Sequence, residues 1–597
     1  MEIVVKPVMT IPVLQRSSCW SSASVSSSPP LLLLPSLSGL QYSSSSSSSS
    51  CSCWTKNLPT VNCFSTKIAT KHLSSPVIDC RYYYKRQNSS TAVVMAVASP
   101  SSSSSSTPAQ QAVEEEEKET LASNEVTVVG AGPAGCLLAI YLLRRGFSVK
   151  LFEKREATIA GPGEMLQNSY SYSMVLASRA TKALEGAGLA LPLTLLNPLE
   201  GACRHFPNGK IIFMRYSSEP GIQTYGVSRN ALVGYSQESL LLGRYPKLKT
   251  YFGYELVSLG ENKNSATFRV SANSNIQGTK EELVEVKYDL LVGADGANSA
   301  VRSQILHYEE RNPHSSSNLE PMKMDIQHNV QYIKSLYIRP SLAKNSFLYA
   351  DHNYVQAWVA LNLLFTGMAD GSFWGATASP DLISCTNPLE LEHKFRQHAP
   401  EVLELLLEEN PNFAEDFVKQ PPISTGSAII LSRFHHDNIL LIGDAAHAMF
   451  STYGTGCNAA LEDCFIFDKI LADFPSSGPA GKVPFDKAAA EFTRRRREDA
   501  HVIVNLNTTK ELFPQGYLGL MQMLLLTTLH KLAPKFFKPT SFNQLWSDVP
   551  FAQIKLQKRM EDRFFYGLLF GLGFLVLSGI LFLLGVRTPP PNPKPTF

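Results

Sequence analysis

Acidic residues are nearly absent from the first part of this chain. Residues 1–112 contain two, Glu2 and Asp79, among long serine runs and scattered Lys and Arg. No long apolar core follows a basic start, so a secretory signal fits poorly, whereas acid-poor, serine-rich leaders are typical of organelle transit peptides. The serine richness favours a plastid over a mitochondrion, and hence a plant-like source. We predict a transit peptide over residues 1–98 and a disordered linker over 99–124, with a plain disordered tail as the alternative.

Cysteine pairs with metal-ligand spacing are also missing. Of the ten cysteines, five fall in the leader, and the other five are scattered and odd in number: Cys136, Cys203, Cys385, Cys457 and Cys464. We interpret these five as reduced thiols in packing roles and expect no metal site. A net charge of +3 over 597 residues gives no reason to expect a nucleic-acid partner, and this length allows two or three domains.

Charge is absent from one long stretch near the C-terminus. Residues 564–586 are 23 residues without a charge, between Arg563 and Arg587. As a helix they would span roughly 34 Å, enough to cross a bilayer core of about 30 Å. We predict a transmembrane helix over 564–586 and a disordered, proline-rich tail over 587–597. The apolar residues 518–529 are too few to span, so they either lie on the membrane surface or pack in the core.

A glycine-rich turn opens the first ordered region. A buried strand at 126–129 leads into GAGPAG at residues 130–135, a helix follows, and a second strand ends at Glu153. Gly130 permits the tight turn, Gly132 lets the backbone approach a pyrophosphate, and Gly135 lets helix and strand pack closely. The helix N-terminus offers free N–H groups to the phosphates. The pattern predicts dinucleotide contacts for Gly130, Gly132, Ala134, Gly135 and, through ribose hydroxyls, Glu153.

Two further strands end in short polar motifs. A strand at 288–293 runs into ADGANSAVR at 294–302, and a strand at 438–443 delivers Asp444 in GDAAH. In this order, the three segments resemble the para-hydroxybenzoate-hydroxylase-like FAD-dependent aromatic hydroxylases. The resemblance implies FAD contacts for Asp295, Asp444, Gly456, Cys457 and Asn458, and for Arg229 in the preceding GVSR motif. His447 we interpret as a packing or hydrogen-bonding residue beside the FAD.

Within this family, the segments most resemble the kynurenine 3-monooxygenases, over residues 125–510. The substrate positions depart from that pattern. Ungapped comparison places the family's substrate-binding tyrosine at Tyr216. It puts Ala202 at the position of the arginine that binds the substrate carboxylate. Carboxylate binding is then either lost or moved to Arg204 or Arg215. The pocket asparagine falls on Arg494. The resemblance therefore implies retained flavin chemistry and a substrate other than L-kynurenine, contacted by Tyr216.

The resemblance also implies the architecture. We predict an α/β fold with a Rossmann-like FAD-binding domain, an inserted and mostly antiparallel β-sheet substrate domain, and the transmembrane helix. The boundaries are 125–199, 286–319 and 433–475 for the FAD-binding domain, 200–285 and 320–432 for the substrate domain, and 476–563 for a C-terminal helical region.

The resemblance implies an FAD-dependent NAD(P)H monooxygenase that hydroxylates a small aromatic molecule with O₂ through a flavin C4a-hydroperoxide. NADPH or NADH is a transient co-substrate, and no side chain is assigned as a catalytic residue. The expected location is a plastid membrane. Three alternatives stay open: a plastid isoprenoid reductase resembling geranylgeranyl reductase, a lipid epoxidase resembling squalene epoxidase, and a tethered flavin-binding protein without turnover.

Overall fold

The structure, a computed structural model, describes residues 124–156, 173–216, 222–243, 245–261, 264–270, 282–312, 319–327, 332–424, 426–475 and 481–584. The predicted transit peptide, nearly all of the predicted linker and the C-terminal tail lie outside these residues.

The strands alternate with short connections and helical crossovers. They are β1 Glu125–Val129, β2 Ser148–Glu153, β3 Ser173–Leu176, β4 Asn197–Leu199, β5 Gly201–His205, β6 Ile211–Arg215, β7 Thr224–Ser228, β8 Leu248–Phe252, β9 Tyr254–Leu259, β10 Ser265–Val270, β11 Leu283–Lys287, β12 Leu290–Gly293, β13 Met324–Gln327, β14 Tyr332–Ile338, β15 Tyr354–Trp358, β16 Leu363–Gly367, β17 Phe373–Thr377, β18 Ile423–Ser424, β19 Ala428–Leu431, β20 His435–His436 and β21 Ile439–Leu441.

The α-helices are concentrated in the second half of the chain. They are α1 Pro133–Arg144, α2 Ser178–Gly186, α3 Arg229–Leu242, α4 Ala300–Arg311, α5 Pro340–Ala343, α6 Pro380–Ile383, α7 Pro388–His398, α8 Pro400–Glu409, α9 Phe413–Lys419, α10 Asp444–His447, α11 Gly456–Asp473, α12 Phe485–Thr509, α13 Gly516–Leu532, α14 Ser541–Gln544 and α15 Phe551–Leu583. Short 3-10 turns cover Phe347–Asp351, Val359–Leu361 and Ser451–Tyr453.

A six-stranded, mostly parallel sheet forms the first layer. Its order is β20-β21-β12-β1-β2-β8, with β20 antiparallel at one edge. The central strands are buried on both faces, as expected for parallel strands covered by helices, and β1 is buried from Val126 to Val129. The carboxyl ends of β1, β12 and β21 lie side by side, so the three loops that follow them meet at one edge of the sheet.

A seven-stranded sheet forms the second layer. Its order is β18-β14-β17-β16-β15-β5-β6, and every neighbouring pair is antiparallel except β15 with β5. An apolar cluster joins this sheet to helices α7, α8 and α9. The predicted α/β class, with an inserted and mostly antiparallel sheet, is confirmed.

One predicted domain boundary is wrong. The predicted substrate domain includes residues 200–285, but β8 pairs in parallel with β2, inside the six-stranded sheet. The β9–β11 meander follows it, and its buried Leu256 and Phe268 belong to the same core as β1 and β2. Alternation predicted these strands correctly, but a residue pattern does not say which sheet an antiparallel meander packs against.

The C-terminal helices cover the remaining side. Of the described helices, α15 alone is long and apolar enough to cross a membrane by length and composition. It begins at Phe551, thirteen residues before the predicted span at 564, so the apolar run continues a helix whose first turns pack on the protein. The predicted end at Val586 lies outside the described residues.

Candidate functional site

The glycine turn after β1 packs against the loop after β12. Gly130 has φ of +106°, and a Cβ there would lie 2.4 Å from the Ala294 carbonyl oxygen. A Cβ on Gly135 would lie 1.9 Å from the Gly130 carbonyl oxygen. Only glycine is compatible with both approaches. Gly132 is different, because nothing lies within 4 Å of a Cβ placed on it. The turn is therefore closed against the protein at Gly130 and Gly135 and open at Gly132.

Glu153 holds this turn from the end of β2. Its Oε2 accepts the Ala131 amide at 2.9 Å, and its Oε1 accepts the Arg155 amide at 3.1 Å and Arg155 Nε at 2.9 Å. Burial raises the pKa of Glu153, but the Arg155 and Ala131 contacts outweigh it and leave the pKa below its usual value. The sequence predicted a ribose acceptor. The structure adds that the same ionised carboxylate fixes the shape of the glycine turn.

Asp295 and Arg302 organise the second segment. Asp295 Oδ2 accepts the amides of Ala300 at 2.7 Å and Val301 at 3.1 Å, and so caps α4. Arg302 donates to the carbonyl of Ala297 at 2.6 Å and to that of Ala445 at 2.9 Å. Arg302 thereby ties the second segment to the third. The sequence analysis assigned it no role, since an arginine in the first turn of a helix gives no sign of a partner 143 residues away.

The third segment presents Asp444 at the same edge. Gly443 has φ of +57°, and a Cβ there would lie 2.9 Å from Ala460 Cβ and 3.9 Å from Ala134 Cβ, so this segment also meets the glycine turn. Asp444 is exposed at the bottom of a recess. Desolvation by the surrounding protein raises its pKa, and the positive charges of His447 and Arg229 only partly offset this rise. The charge of Arg229, the first residue of α3, therefore acts on the same carboxylate.

Asp463 supports this segment from beneath. The side chain is fully buried on α11, and its Oδ2 accepts the Gly443 amide at 2.8 Å and pairs with His447 Nε2 at 2.7 Å. Burial raises the pKa of Asp463, yet His447 and Arg496 together hold it below its usual value. The interpretation of His447 as a packing and hydrogen-bonding residue is confirmed, because the ring is buried and bonded to Asp463.

A buried chain of charges extends from Asp463 to the first turn of α15. Arg496, on α12, contacts Asp463 at 2.7 Å, Asp499 at 2.9 Å and Glu462 at 2.8 Å. Asp499 Oδ1 in turn accepts the Ala552 amide at 2.9 Å. Burial lowers the pKa of Arg496, but the three carboxylates outweigh it and raise the pKa. The loop that carries Asp444 is therefore connected through paired charges to the start of the long C-terminal helix.

The structure changes the role of Asn458. Its side-chain oxygen accepts the Ala177 amide at 2.7 Å, and its nitrogen donates to the carbonyls of Val175 at 2.8 Å and Gly454 at 3.0 Å. Both amide hydrogens are thus used within the protein, so the side chain has no donor left for a cofactor. We interpret Asn458 as a positioning residue for the loop at Gly454.

The neighbours of Asn458 line the start of α11. Gly456 lies beside Asp444, with Asp444 Oδ1 3.9 Å from the place of a Cβ on Gly456. Burial raises the pKa of Cys457 to about 12, so its thiol is neutral. The described cysteines are all free, and four of the five are buried.

The predicted substrate residue Tyr216 lies in a separate apolar cluster, hereafter the inner cluster. This cluster joins the seven-stranded sheet to the C-terminal helices and includes Met214, Tyr216, Val355, Met449, Tyr453, Met523 and Trp546. The Tyr216 ring centroid lies 4.5 Å from that of Trp546. Burial raises the pKa of Tyr216, so the phenol is neutral.

The two arginines proposed to replace Ala202 occupy different environments. Arg204 follows Ala202 by two residues on β5, so both project from the same face, and its guanidinium lies 5.8 Å from the Phe513 ring centroid. Burial lowers the pKa of Arg204, while Tyr216 acts in the opposite direction. Arg215 instead is half-exposed and pairs with Glu200 at 3.6 Å. Of these two arginines, Arg204 is therefore the one that lies partly buried beside Tyr216.

The structure places Arg494, on which the family's pocket asparagine falls, at the protein surface. The Arg494 side chain is 70% exposed and pairs with Glu491 on the outer face of α12 at 2.7 Å. Asn507, in the last turn of α12, is buried, and its side-chain oxygen accepts the Tyr453 amide at 3.0 Å.

The edge formed by the three segments fits FAD. The open space at Gly132 admits a pyrophosphate against backbone, Asp295 Oδ1 is buried without a hydrogen-bond partner among the described residues, and Asp444 is exposed within a recess. Gly132 and Ala134 would hold the pyrophosphate, Glu153 the ribose, and Asp444 the ribityl hydroxyls.

The chain is similar in sequence to known proteins over most of its length. The FAD binding domain family matches residues 123–498. The chain is 28% identical to kynurenine 3-monooxygenase of Drosophila willistoni over 480 residues, covering 77% of this chain and 96% of that protein. It is 28% identical to kynurenine 3-monooxygenase of Anopheles gambiae over 456 residues, covering 74% and 84%. A solved structure of 2-methyl-3-hydroxypyridine-5-carboxylic acid oxygenase aligns with a TM-score of 0.47 at 17% identity, covering 64% of this chain and 90% of that one. With its three segments at one sheet edge and this match over most of the described residues, the chain belongs to the FAD binding domain family.

Proposed function

We propose that this chain is an FAD-dependent NAD(P)H monooxygenase that hydroxylates a small aromatic molecule. The observation that carries the proposal is the meeting of Gly132, Glu153, Asp295 and Asp444 at one sheet edge, in a chain whose curated relatives are named kynurenine 3-monooxygenases. Bound FAD supplies the redox chemistry, by which NAD(P)H and O₂ are consumed and one oxygen atom enters the substrate.

The residues of the chain would bind the cofactor, orient the substrate and shield it from water. Asp463 holds the loop that presents Asp444, and Glu153 holds the glycine turn, so both halves of the cofactor would meet a preformed surface. The inner cluster, around Tyr216 and Trp546, would exclude water from the substrate. No described residue is assigned a proton-transfer step.

For the substrate, we propose an aromatic molecule that carries an acidic group recognised by Arg204, with Tyr216 against its ring. Support comes from the position of Arg204 on the same strand face as Ala202 and from its burial beside Tyr216. A partly desolvated guanidinium favours a planar anion that can form two hydrogen bonds with it. L-kynurenine is not proposed, since Ala202 stands where that recognition would require an arginine.

The direct test is NAD(P)H oxidation and O₂ uptake by the full chain in lipid nanodiscs, screened against aromatic acids and amino-aromatic compounds. A true substrate should stimulate both and gain one oxygen atom. The Asp444→Ala variant is the matched control, since it should lose FAD and activity together. Protein without bound FAD would refute every enzymatic interpretation, and substrate reduction without O₂ uptake would favour the isoprenoid reductase.

Substrate recognition has its own matched pair. Arg204→Met should raise KM for an acidic aromatic substrate by roughly tenfold or more, the loss expected for a charge-assisted hydrogen bond, with less effect on kcat. Arg215→Met, on the neighbouring strand, should leave KM unchanged. Equal effects of the two substitutions would remove Arg204 from the site.

We also propose attachment to a plastid membrane through α15. Support comes from the length and composition of α15 and from the acid-poor, serine-rich leader at residues 1–98. Fluorescent fusions of the full chain and of a chain without residues 1–98 would test this. Plastid targeting of the shortened chain, or mitochondrial targeting of the full one, would refute the plastid assignment.

A further inference from the structure

Helix α13 is apolar on two opposite sides. Its inner side buries Met523 and Leu526, and Met523 belongs to the inner cluster. Its outer side exposes Tyr517 by 89%, Leu518 by 50% and Met521 by 54%. A helix that covers a soluble protein normally turns polar residues outward, because exposed apolar area has no favourable contact in water. The outer side of α13 therefore requires an apolar environment.

This outer side continues beyond the helix. Leu532 is 78% exposed and Phe536 is 86% exposed at the end of α13 and in the segment that follows it. We call the set Tyr517, Leu518, Met521, Leu532 and Phe536 the outer face.

The outer face adjoins the start of the predicted membrane span. Gln522 Nε2, in the middle of α13, donates to Asp562 Oδ1 at 2.7 Å. The Phe537 ring centroid lies 6.1 Å from that of Phe564, the first residue of the uncharged run in α15. Helix α13 and its following segment thus lie where α15 would enter the bilayer, and the outer face is continuous with an apolar surface that is itself exposed.

The charged residues of the segment that carries the outer face have one sign. From residue 512 to residue 547 the chain contains no Asp or Glu. The same stretch contains Lys531, Lys535 and Lys538, and all three are exposed. An apolar face bordered by lysines is the pattern of a segment that lies in the headgroup region of an anionic membrane.

We propose that the outer face docks on the surface of an anionic bilayer, as a membrane contact separate from the spanning part of α15. Its apolar side chains enter the headgroup boundary, and Lys531, Lys535 and Lys538 pair with lipid phosphates. Because the inner side of α13 packs on the inner cluster, this contact holds the cover of the candidate substrate region against the lipid. The proposal rests on membrane attachment through α15 and does not depend on the reaction catalysed.

The test uses the full chain in nanodiscs, so that α15 anchors every variant equally. Tyr517→Trp reports on the outer face, and Leu389→Trp is the control, since Leu389 is 75% exposed at the start of α7. The unsubstituted chain supplies the background signal of the native tryptophans. Above this background, the fluorescence of the indole introduced by Tyr517→Trp should be quenched by brominated phosphatidylglycerol and protected from aqueous iodide. The Leu389→Trp control should show the reverse.

The contribution of the three lysine charges is tested in the same nanodisc experiment, with the Tyr517→Trp variant. Replacing Lys531, Lys535 and Lys538 by Gln should shift the docked population toward solvent by roughly fivefold for each lysine near an anionic surface. Nanodiscs of phosphatidylcholine, which has no net charge, should shift the docked population in the same direction. Retained FAD absorbance shows that each variant is folded.

Three results would overturn the proposal. One is iodide quenching of the Tyr517→Trp variant equal to that of the control. Another is protection from both quenchers, since a second protein surface would then cover the outer face. The third is insensitivity to the lysine substitutions, which would exclude the headgroup contact.

Discussion

Arg496 offers the most quantitative test of how the candidate site is supported. Its side chain is 2% exposed and contacts Asp463, Asp499 and Glu462, of which Asp463 is 0% exposed. Arg496→Met removes the charge but keeps most of the side-chain volume. Glu462 retains Arg179 at 2.9 Å, so Asp463 and Asp499 bear the loss. Removing one partner of a buried ion pair costs about 3–5 kcal/mol, because the remaining charge stays desolvated.

Arg495→Met is the matched control on the preceding residue. The Arg495 side chain is 40% exposed and pairs with Glu491 and Asp473 on the surface. Exposed pairs contribute roughly 1 kcal/mol or less. At about 2.1 cal/mol/K of unfolding entropy per residue, a loss of 3–5 kcal/mol lowers Tm by roughly 4–6 °C if the described residues unfold as one unit. Thermal unfolding in detergent, followed by circular dichroism, measures both variants.

The pH dependence of the difference in Tm between the parent chain and Arg496→Met provides an independent test. In the parent chain, the lowered pKa of Asp463 means that its contribution to stability is present above its unfolded pKa of about 3.9 and is lost as pH falls through the folded value. Without Arg496, the folded pKa of Asp463 should rise, although His447 still lowers it, and the folded pKa of Asp499, which burial already raises, should rise further. The variant therefore loses stability relative to the parent chain as pH rises. The difference in Tm between parent and variant should therefore be larger at about pH 8 than at about pH 5.

Two results would refute this reasoning. One is a Tm for Arg496→Met that equals that of Arg495→Met. The other is a difference from the parent chain that does not change with pH, since an uncompensated buried carboxylate must respond to protonation.

Four further changes test the candidate FAD site. Gly135→Ala should prevent stable folding, because its Cβ would lie 1.9 Å from the Gly130 carbonyl oxygen, and soluble yield and circular dichroism would show this. Gly132→Val should leave the Tm of the apoprotein unchanged, since a Cβ there meets nothing within 4 Å, yet weaken FAD binding by about tenfold or more in a fluorescence titration. Asn458→Ala should lower the free energy of unfolding by roughly 2–4 kcal/mol, because it leaves buried backbone groups unpaired; an unchanged melt would contradict the positioning role. Asp444→Ala should weaken FAD binding by about 10- to 100-fold, as expected for a hydrogen bond to a charged group, without lowering the apoprotein Tm, and unaltered affinity would remove Asp444 from the site.

Local patterns were sufficient where a function depends on consecutive residues. The glycine turn, the acid at the end of β2 and the Asp-bearing loops after β12 and β21 were all predicted at the positions where the structure has them. They were predictable because each consists of a strand, a turn and a helix start within a few residues. The uncharged run at 564–586 was equally visible, since crossing a bilayer is a matter of length and composition.

Long-range partners were not predictable in this way. Nothing near Arg496 in the sequence distinguishes it from its neighbours in the four-arginine run, yet it is buried while Arg494 is exposed. The helical period turns adjacent side chains by about 100°, and only the packing of α12 on α11 decides which of them faces Asp463. The same holds for Asn458, whose partners at Val175 and Ala177 come from a distant strand and its following loop.

By itself, the sequence determined the cofactor class and the α/β architecture, because three motifs in one order resemble a known family, and it determined the C-terminal apolar helix through length and composition. Only the tertiary structure decided which residues support the site: Asp463 and Arg496 beneath the Asp444 loop, and Arg302 between the second and third segments. It also placed Arg204, and not Arg215, partly buried beside Tyr216, and it set the outer side of α13 beside the start of the predicted membrane span. These outcomes depend on which residues, far apart in the sequence, come into contact and lose water together. Such contacts form only when the chain packs into its tertiary structure.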